Sequence, residues 1–259
     1  MAAETPTMRP LLCALLVATL SALMGAAPSS AILNGQADTE HTYAGILVML
    51  DHGDRVPVCS GFLVSPTVFV TAAHCIEDLG GASTAYVSFD QTLTQSSTLL
   101  TGTPVPNPRY TGGTEHDIAV VVLAEATNVG YASLPDLGQL DSLSKRKGLQ
   151  DRSLTVVGYG ANAAVKGGFD YQLTRSFASS RLQNLTSSNA GGFNLQMSSN
   201  PGQGKGAICF GDSGGPVLLG DSDVAVGISV YVNNLQCAGN AYAFRTDTAE
   251  ALGFLATYL

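Results

Sequence analysis

The apolar residues of this chain come in short runs, and that constrains its fold more than any other feature. Residues 43–50, 58–64, 67–71, 85–89 and 118–123 form such runs in the first half, and 154–158, 172–177, 217–219 and 224–232 in the second. Runs this short, rich in Val, Ile, Tyr and Phe and separated by Gly, Pro, Asp and Ser, are read as β-strands joined by tight turns. Only 12 % of residues are charged and 29 are glycine, which fits that pattern. Pro104, Pro106 and Pro108 predict an extended loop before residue 118. Polar residues dominate at 134–148, which predicts a linker between two halves, and again at 184–206. Helical spacing occurs at the end: Ala249, Leu252, Leu255 and Leu259 recur on one face, with Thr246 or Asp247 as cap and Glu250 in the first turn. The expectation is an all-β chain closing with one short α-helix over about 247–258.

The amino-terminal stretch has a different character. Arg9 precedes an apolar run at 11–23, too short for a membrane span, followed by small residues at 25–31. This predicts a secretory signal peptide over 1–31. Cleavage after Ala31, with Ser29 two residues earlier, leaves Ile32 first; cleavage after Ala27 puts an unfavourable Pro28 first. No later stretch is long and apolar enough to span a bilayer, so residues 32–259 are read as one exported domain without a membrane association. The formal net charge of −8 gives no electrostatic basis for binding nucleic acid. Cys13 lies in the signal, so four cysteines are left: Cys59, Cys75, Cys209 and Cys237. An even count in an exported chain predicts two disulfides, and sequence alone leaves three pairings open. No cysteine has a nearby partner ligand at zinc-site spacing, and neither a metal nor another cofactor is expected.

Three stretches carry chemistry. Gly211-Asp212-Ser213-Gly214-Gly215-Pro216 places a serine among glycines that can turn tightly with amides pointing inward, the setting of an activated nucleophile beside an oxyanion hole. Thr71-Ala72-Ala73-His74-Cys75 presents an imidazole just after a β-type run. His116-Asp117-Ile118 places an acid at the mouth of a buried strand, where it must be partnered. A serine hydroxyl needs a base to take its proton, histidine titrates near neutrality, and an acid fixes the imidazole tautomer. His41, His52 and His116 show no such partner pattern.

In that order, the blocks TAAHC, DIAVVVL and GDSGGP resemble the signatures of the chymotrypsin-like, trypsin-fold serine proteases. The resemblance covers residue 32 to the C-terminal helix, and Ser213 is not framed by the GxSxG of α/β-hydrolases. It implies two antiparallel β-barrels, about 32–140 and about 149–245, with the active site in the cleft between them. It also implies His74 as general base, Asp117 as orienting acid, Ser213 as nucleophile, and the amides of Gly211 and Ser213 as oxyanion hole. The implied disulfides are Cys59–Cys75 and Cys209–Cys237. The family's freed amino terminus pairs with the acid before the serine, here Ile32 with Asp212.

The resemblance also implies a specificity pocket. Family members that cut after Lys or Arg carry an aspartate six residues before the nucleophile; here that position is Ala207. Where the family has Ser-Trp-Gly this chain has Ser229-Val230-Tyr231-Val232, so either Tyr231 or Val232 replaces the glycine that keeps the pocket open, with Asn240 near another wall. A small or medium apolar residue before the scissile bond is expected. Asn184-Leu185-Thr186 is a candidate glycosylation sequon. The expected partners are protein or peptide substrates and proteinaceous inhibitors, and the expected state is a secreted monomer. The rival expectation is a catalytically silent binding or decoy protein that keeps the fold.

Overall fold

The computed structural model describes Met1 and residues 32–33, 35–144, 153–161, 163–165, 168–199, 206 and 208–259. The expected signal segment, and Ala207, lie outside the described residues.

The first barrel closes from β2 (Ala44–Asp51), β3 (Asp54–Ser65), β4 (Val68–Thr71), β5 (Ala85–Ser88), β6 (Leu100–Pro106) and β7 (Ala119–Leu123), with the pairing order β2-β3-β4-β7-β6-β5. All its ladders are antiparallel. The β2–β3 hairpin turns at His52 (φ 51°) and Gly53 (φ 96°), where Asp51 pairs with Asp54. Positive φ at both central residues is the geometry that matches the twist of a two-residue hairpin. Alternate residues share a face, so Leu47, Leu63, Phe69, Val87 and Val121 lie together and fill the core.

A two-residue strand, β1 (Gln36–Ala37), precedes this barrel in sequence but pairs with the second one, at Ser176 and Phe177. The rest of the second barrel follows α2 (Gln139–Ser144): β8 (Ser153–Gly158), the hairpin β9 (Ala163–Val165) and β10 (Gly168–Asp170), β11 (Ser176–Asn184), β12 (Asn194–Ser199), β13 (Pro216–Leu219), β14 (Ala225–Val232) and β15 (Gly239–Arg245). The order β11-β12-β15-β14-β13-β8 closes through a β11–β8 ladder, so this too is a six-stranded antiparallel barrel, with β1 appended. The chain ends in α3 (Ala249–Leu255), whose N-cap Thr248 accepts from the Ala251 amide. A helix α1 (Ala73–Glu77) interrupts the first barrel just after β4.

Several strands depart from the sequence expectation. Of the prolines expected to form a loop before residue 118, Pro104 and Pro106 belong to the end of β6, and Pro108 lies in the turn that follows it. Beyond Gly102, β6 pairs with β7 only, and Pro104 and Pro106 are two residues apart, so their missing N–H groups fall on the same, open edge. The run expected at 172–177 is instead β11, whose inward positions include Ser176 and Ser180, which hide its alternation. β12 lies inside the stretch expected to be polar and irregular; only Leu195 and Met197 mark its apolar face. β15 follows what the sequence suggests is the last strand, and its small Ala241 and Ala243 give little β signal, although both are fully buried.

The barrels are joined by side chains that each reach across. Tyr159, 1 % exposed at the end of β8, packs on Ile46, Val48 and Leu93 and donates its hydroxyl to Asp90 O at 2.8 Å. The buried Arg175 donates to Phe89 O at 3.1 Å, to the Tyr159 hydroxyl at 3.2 Å and to Gln91 Oε1 at 3.0 Å. Within the expected linker, α2 is tied to the second barrel by Arg245, which pairs with Asp141 at 2.8 Å and with Asp247 at 2.9 Å. Among the described residues, no helix is long and apolar enough to cross a membrane.

Candidate active site

His74 comes from the short helix that β4 feeds into. Its neighbour Cys75 is bonded to Cys59 on β3, which clamps this helix to the barrel wall. Asp117 sits fully buried just before β7. Because β4 and β7 are paired, with Thr71 opposite Ala119, the two residues meet at one barrel end. The Asp117 carboxylate is satisfied twice by the same partner: Oδ1 accepts from the His74 backbone N–H at 3.0 Å, and Oδ2 lies 2.7 Å from His74 Nδ1. Burial pushes the His74 pKa down, but the hydrogen bond and charge of Asp117 outweigh it, aided by Asp78 and Glu77, and the net direction is above the ordinary 6.5.

Ser213 belongs to the second barrel, on the loop that enters β13. Ser60 of β3 couples that loop to the first barrel: its amide donates to Ser213 O at 2.8 Å, its hydroxyl donates to Gly211 O at 2.8 Å, and the Tyr159 amide donates to that same hydroxyl at 2.9 Å. From the other side, the Gly214 amide donates to Ser229 O at 2.7 Å. Gly214 has φ 83°, and a Cβ there would stand 2.2 Å from Ser60 O and from Thr71 Oγ1, so no other residue fits. Gly211 has φ 92°, with a would-be Cβ 3.0 Å from Gly160 Cα. Among the described residues, the amides of Gly211 and Ser213 meet no hydrogen-bond acceptor. The second disulfide, Cys209–Cys237, ties the start of this loop to the segment after β14.

His74 and Ser213 line one cleft of about 260 Å³, with Ile208, Cys209, Phe210, Val230, Tyr231 and Val232 as its other walls. In this state the Ser213 hydroxyl donates to Val230 O at 3.2 Å, and His74 Nε2 lies 3.6 Å from Cys75 Sγ. Passing the serine proton to His74 therefore requires the hydroxyl to turn away from Val230. Unliganded sites of this kind commonly tighten only when substrate is bound. His74, Cys59 and Cys75 cluster closely, but the two sulfurs are bonded to each other and cannot act as thiolate ligands.

The sequence profile of the Trypsin family matches residues 32–255. The chain belongs to the trypsin family. It is a serine endopeptidase by that membership. No curated protein sequence matches it. Among solved structures it is similar to HL collagenase (20 % identity, TM-score 0.69, covering 88 % of this chain and 99 % of that one). It is likewise similar to neuropsin, a serine protease expressed in the limbic system of mouse brain (18 % identity, TM-score 0.66, covering 87 % and 99 %). At these identities the likeness is one of fold.

The remaining sequence candidates in this trypsin-family chain separate clearly. Asp212 is fully buried, with Oδ1 accepting from the Gly160 amide and Oδ2 from the Cys209 amide, each at 2.8 Å. Burial outweighs those two amides and pushes its pKa up to about 8. Ile32 is fully buried beside Leu140, Ala178 and Ile208 in the second barrel. Tyr231 and Val232 both line the cleft, whereas Asn240 is on β15 opposite Ser198 and does not. Tyr231 stacks on Tyr242 at 4.4 Å with the rings 6° from parallel, and its hydroxyl donates to Asn189 O at 2.8 Å. Asn184 ends β11 on the surface, its Oδ1 accepting from the Thr186 amide at 2.8 Å. Of the other histidines, His52 is exposed beside Asp51, while His41 is bonded to the buried Asp38 and His116 to Glu250. Sequence reasoning missed Ser60, Tyr159 and Phe210. Ser60 directly follows the disulfide cysteine Cys59, which is the one local signal it offers; Phe210 is recognisable only from the cleft it lines, and Tyr159 only from the barrel junction it fills.

Proposed function

We propose that this trypsin-family chain hydrolyses peptide bonds through a Ser213–His74–Asp117 triad and an acyl-enzyme. The observation that carries the reading is the doubly bonded His74–Asp117 pair facing Ser213 across one cleft. Ser213 Oγ attacks the scissile carbonyl while His74 Nε2 takes its proton and later returns it to the leaving amine. Asp117 holds Nδ1 protonated, and the amides of Gly211 and Ser213 receive the oxyanion. These roles are the known ones of the family, applied here to Ser213, His74 and Asp117. Hydrolysis of a casein or mixed-peptide substrate by the purified protein, abolished by a serine-directed phosphonate, tests the reading; purified, correctly processed protein that cleaves nothing and resists the reagent would sink it.

Because His74 must be neutral to act as base, kcat/KM rises with pH through the His74 pKa. Asp117 lifts that pKa above 6.5, so the acid limb of the pH profile is expected above 6.5, with activity lost as pH falls through it. A pH–rate profile with its acid limb well below 6.5 would contradict the pairing.

For substrates, the cleft is walled by Ile208, Val230, Tyr231 and Val232, and the Tyr231 ring is pinned at both ends, by Tyr242 and by Asn189. A cation entering these walls would be desolvated without a partner. A small or medium apolar residue before the scissile bond is the preference this supports. Peptides with Ala or Val there are expected to be cut faster than those with Phe, and both faster than those with Arg. Tyr231→Gly should raise the Phe-to-Ala ratio by roughly tenfold or more. Preferred cleavage after Arg overturns the reading.

The paired cysteines and the sequence of residues 1–31 support secretion. The mature protein is proposed to act as a monomer on protein or peptide substrates, open to proteinaceous inhibitors that bind the same cleft. The exposed Asn184 is the proposed glycan acceptor.

A further inference from the structure

One carboxylate outside the cleft stands where three segments of the chain meet. Glu250, in the first turn of α3, uses both of its oxygens. Oε1 lies 2.5 Å from His116 Nδ1 and accepts from Asn107 Nδ2 at 3.2 Å; Oε2 pairs with Arg109 Nη1 at 3.1 Å. Asn107 and Arg109 leave β6, and His116 immediately precedes Asp117. The loop 107–118 is also closed upon itself. The Asn107 amide donates to Ile118 O at 3.0 Å, the Arg109 amide to Asn107 Oδ1 at 3.0 Å, and the Ile118 amide to His116 O at 2.8 Å. Glu250 thus grips both flanks of the turn that presents Asp117.

His116 makes that grip consequential. Its φ is +58°, in the left-handed region where a residue bearing a Cβ is strained and persists only if its surroundings hold it. The side-chain restraint the structure gives it is Glu250. The next residue along the backbone is Asp117, whose carboxylate must meet both the amide and the Nδ1 of His74. Relaxation of His116 toward negative φ would swing Asp117 off that line.

We propose that Glu250 is a positioning residue for the active site: by holding Asn107, Arg109 and His116 together it locks the left-handed His116 backbone and so aims the Asp117 carboxylate at His74. The C-terminal helix is then part of the mounting of the acid and not merely a cap on the fold. The proposal rests on the reading of Asp117 as the partner of a catalytic His74.

A helix that only docks would affect stability alone, so the test separates stability from catalysis. Glu250→Ala is expected to lower kcat by roughly tenfold or more with KM nearly unchanged, because misalignment near the reacting groups costs rate rather than binding. It should also move the acid limb of the pH profile to lower pH, since His74 loses part of the support of Asp117 while Glu77 and Asp78 still face it. Glu250→Gln keeps an acceptor oxygen for His116 and Asn107, loses the ion pair with Arg109, and should recover most of kcat. Thr248→Ala removes the N-cap of the same helix without touching these contacts, and should lower Tm while leaving kcat and the profile as they were. Should Glu250→Ala not fold, His116→Ala cannot reach Glu250 and keeps the strain of a Cβ in the left-handed region, and the same loss of kcat is expected. If the folded variants lose Tm but keep wild-type kcat and an unmoved acid limb, the proposal is overturned and Glu250 is a docking residue. Wild-type protein that fails to react with a fluorophosphonate at Ser213 overturns the triad reading itself, and the proposal with it.

Discussion

Ser213→Ala will lower kcat for peptide hydrolysis by roughly 10⁶-fold and leave the folded protein otherwise intact. The size of the effect is the one known when a nucleophile is removed from a triad that acts as a unit. What remains comes from the oxyanion donors and from substrate binding. The retention of structure follows from how the loop is held. Ser60 reaches it through Ser213 O and Gly211 O, and β14 reaches it through the Gly214 amide, so every one of these contacts uses backbone atoms that the substitution leaves in place. Among the described residues the side-chain hydrogen bond removed is the one to Val230 O, worth about 1 kcal/mol. Thermal unfolding should therefore shift by no more than about 2–4 °C, while steady-state hydrolysis falls to near the detection limit. A variant that retains more than a few per cent of wild-type turnover would place the nucleophile elsewhere.

Asp212→Asn carries the second-largest expected loss, roughly 10²- to 10³-fold in kcat/KM, and the reason is the loop's dependence on a buried charge. Among the described residues the Asp212 carboxyl is held by two amides, and its pKa is pushed up to about 8, so at neutral pH burial favours the protonated form. A raised carboxyl pKa stabilises the folded state fully below the ordinary value and progressively less as pH rises from about 4 to about 8. The uncut precursor is therefore expected to lose stability to denaturant across that window. On the proposed maturation, cleavage before Ile32 would free an ammonium at a residue already packed into the second barrel, and a buried ammonium beside Asp212 would reverse the preference. The carboxylate would then be stabilised and the Gly211–Ser213 segment held in order, and the declining pH dependence is expected to disappear. The lower part of the usual cost of breaking such a pair from one side, about 3–4 kcal/mol, sets the 10²- to 10³-fold estimate. Chemical unfolding of the precursor and of the processed form at pH 5 and pH 8, with kinetics of Asp212→Asn, checks both parts. Amino-terminal sequencing of the secreted protein tests direct maturation: a start at Ile32 supports it, and a start at Pro28 rejects it. Equal activity of precursor and processed form would refute the whole scheme.

The candidate site was far more legible than the strands around it. His74, Asp117 and Ser213 are each embedded in a local pattern that survives without knowledge of the fold: a β-run ending in histidine, an acid before a run of valines, a serine among glycines. Burial of Ile32 and Asp212 also follows from the chemistry those positions need. The barrel strands were harder to read wherever closure, and not local preference, decides conformation. β11 turns serines inward, and β15 places Gly239, Ala241 and Ala243 on one face, where a neighbouring strand makes them extended. Pro104 and Pro106 break strands in general but are accommodated where β5 ends and one edge of β6 is left open. Contacts made across long sequence separations were invisible for the same reason. Ser60 meets Gly211 across the junction of the barrels, Tyr231 stacks on Tyr242, and Glu250 reaches back to His116. None of these pairs has a spacing that a linear pattern could carry.

The central claim is that two barrels bring one imidazole–carboxylate pair to bear on one serine. Reaction of the purified, processed protein with a fluorophosphonate, followed by peptide mapping of the modified residue, tests it most directly. The account predicts a single adduct on Ser213 that is abolished by Ser213→Ala and strongly slowed by His74→Ala. An adduct on a different serine, or labelling of Ser213 at an undiminished rate without His74, would contradict it.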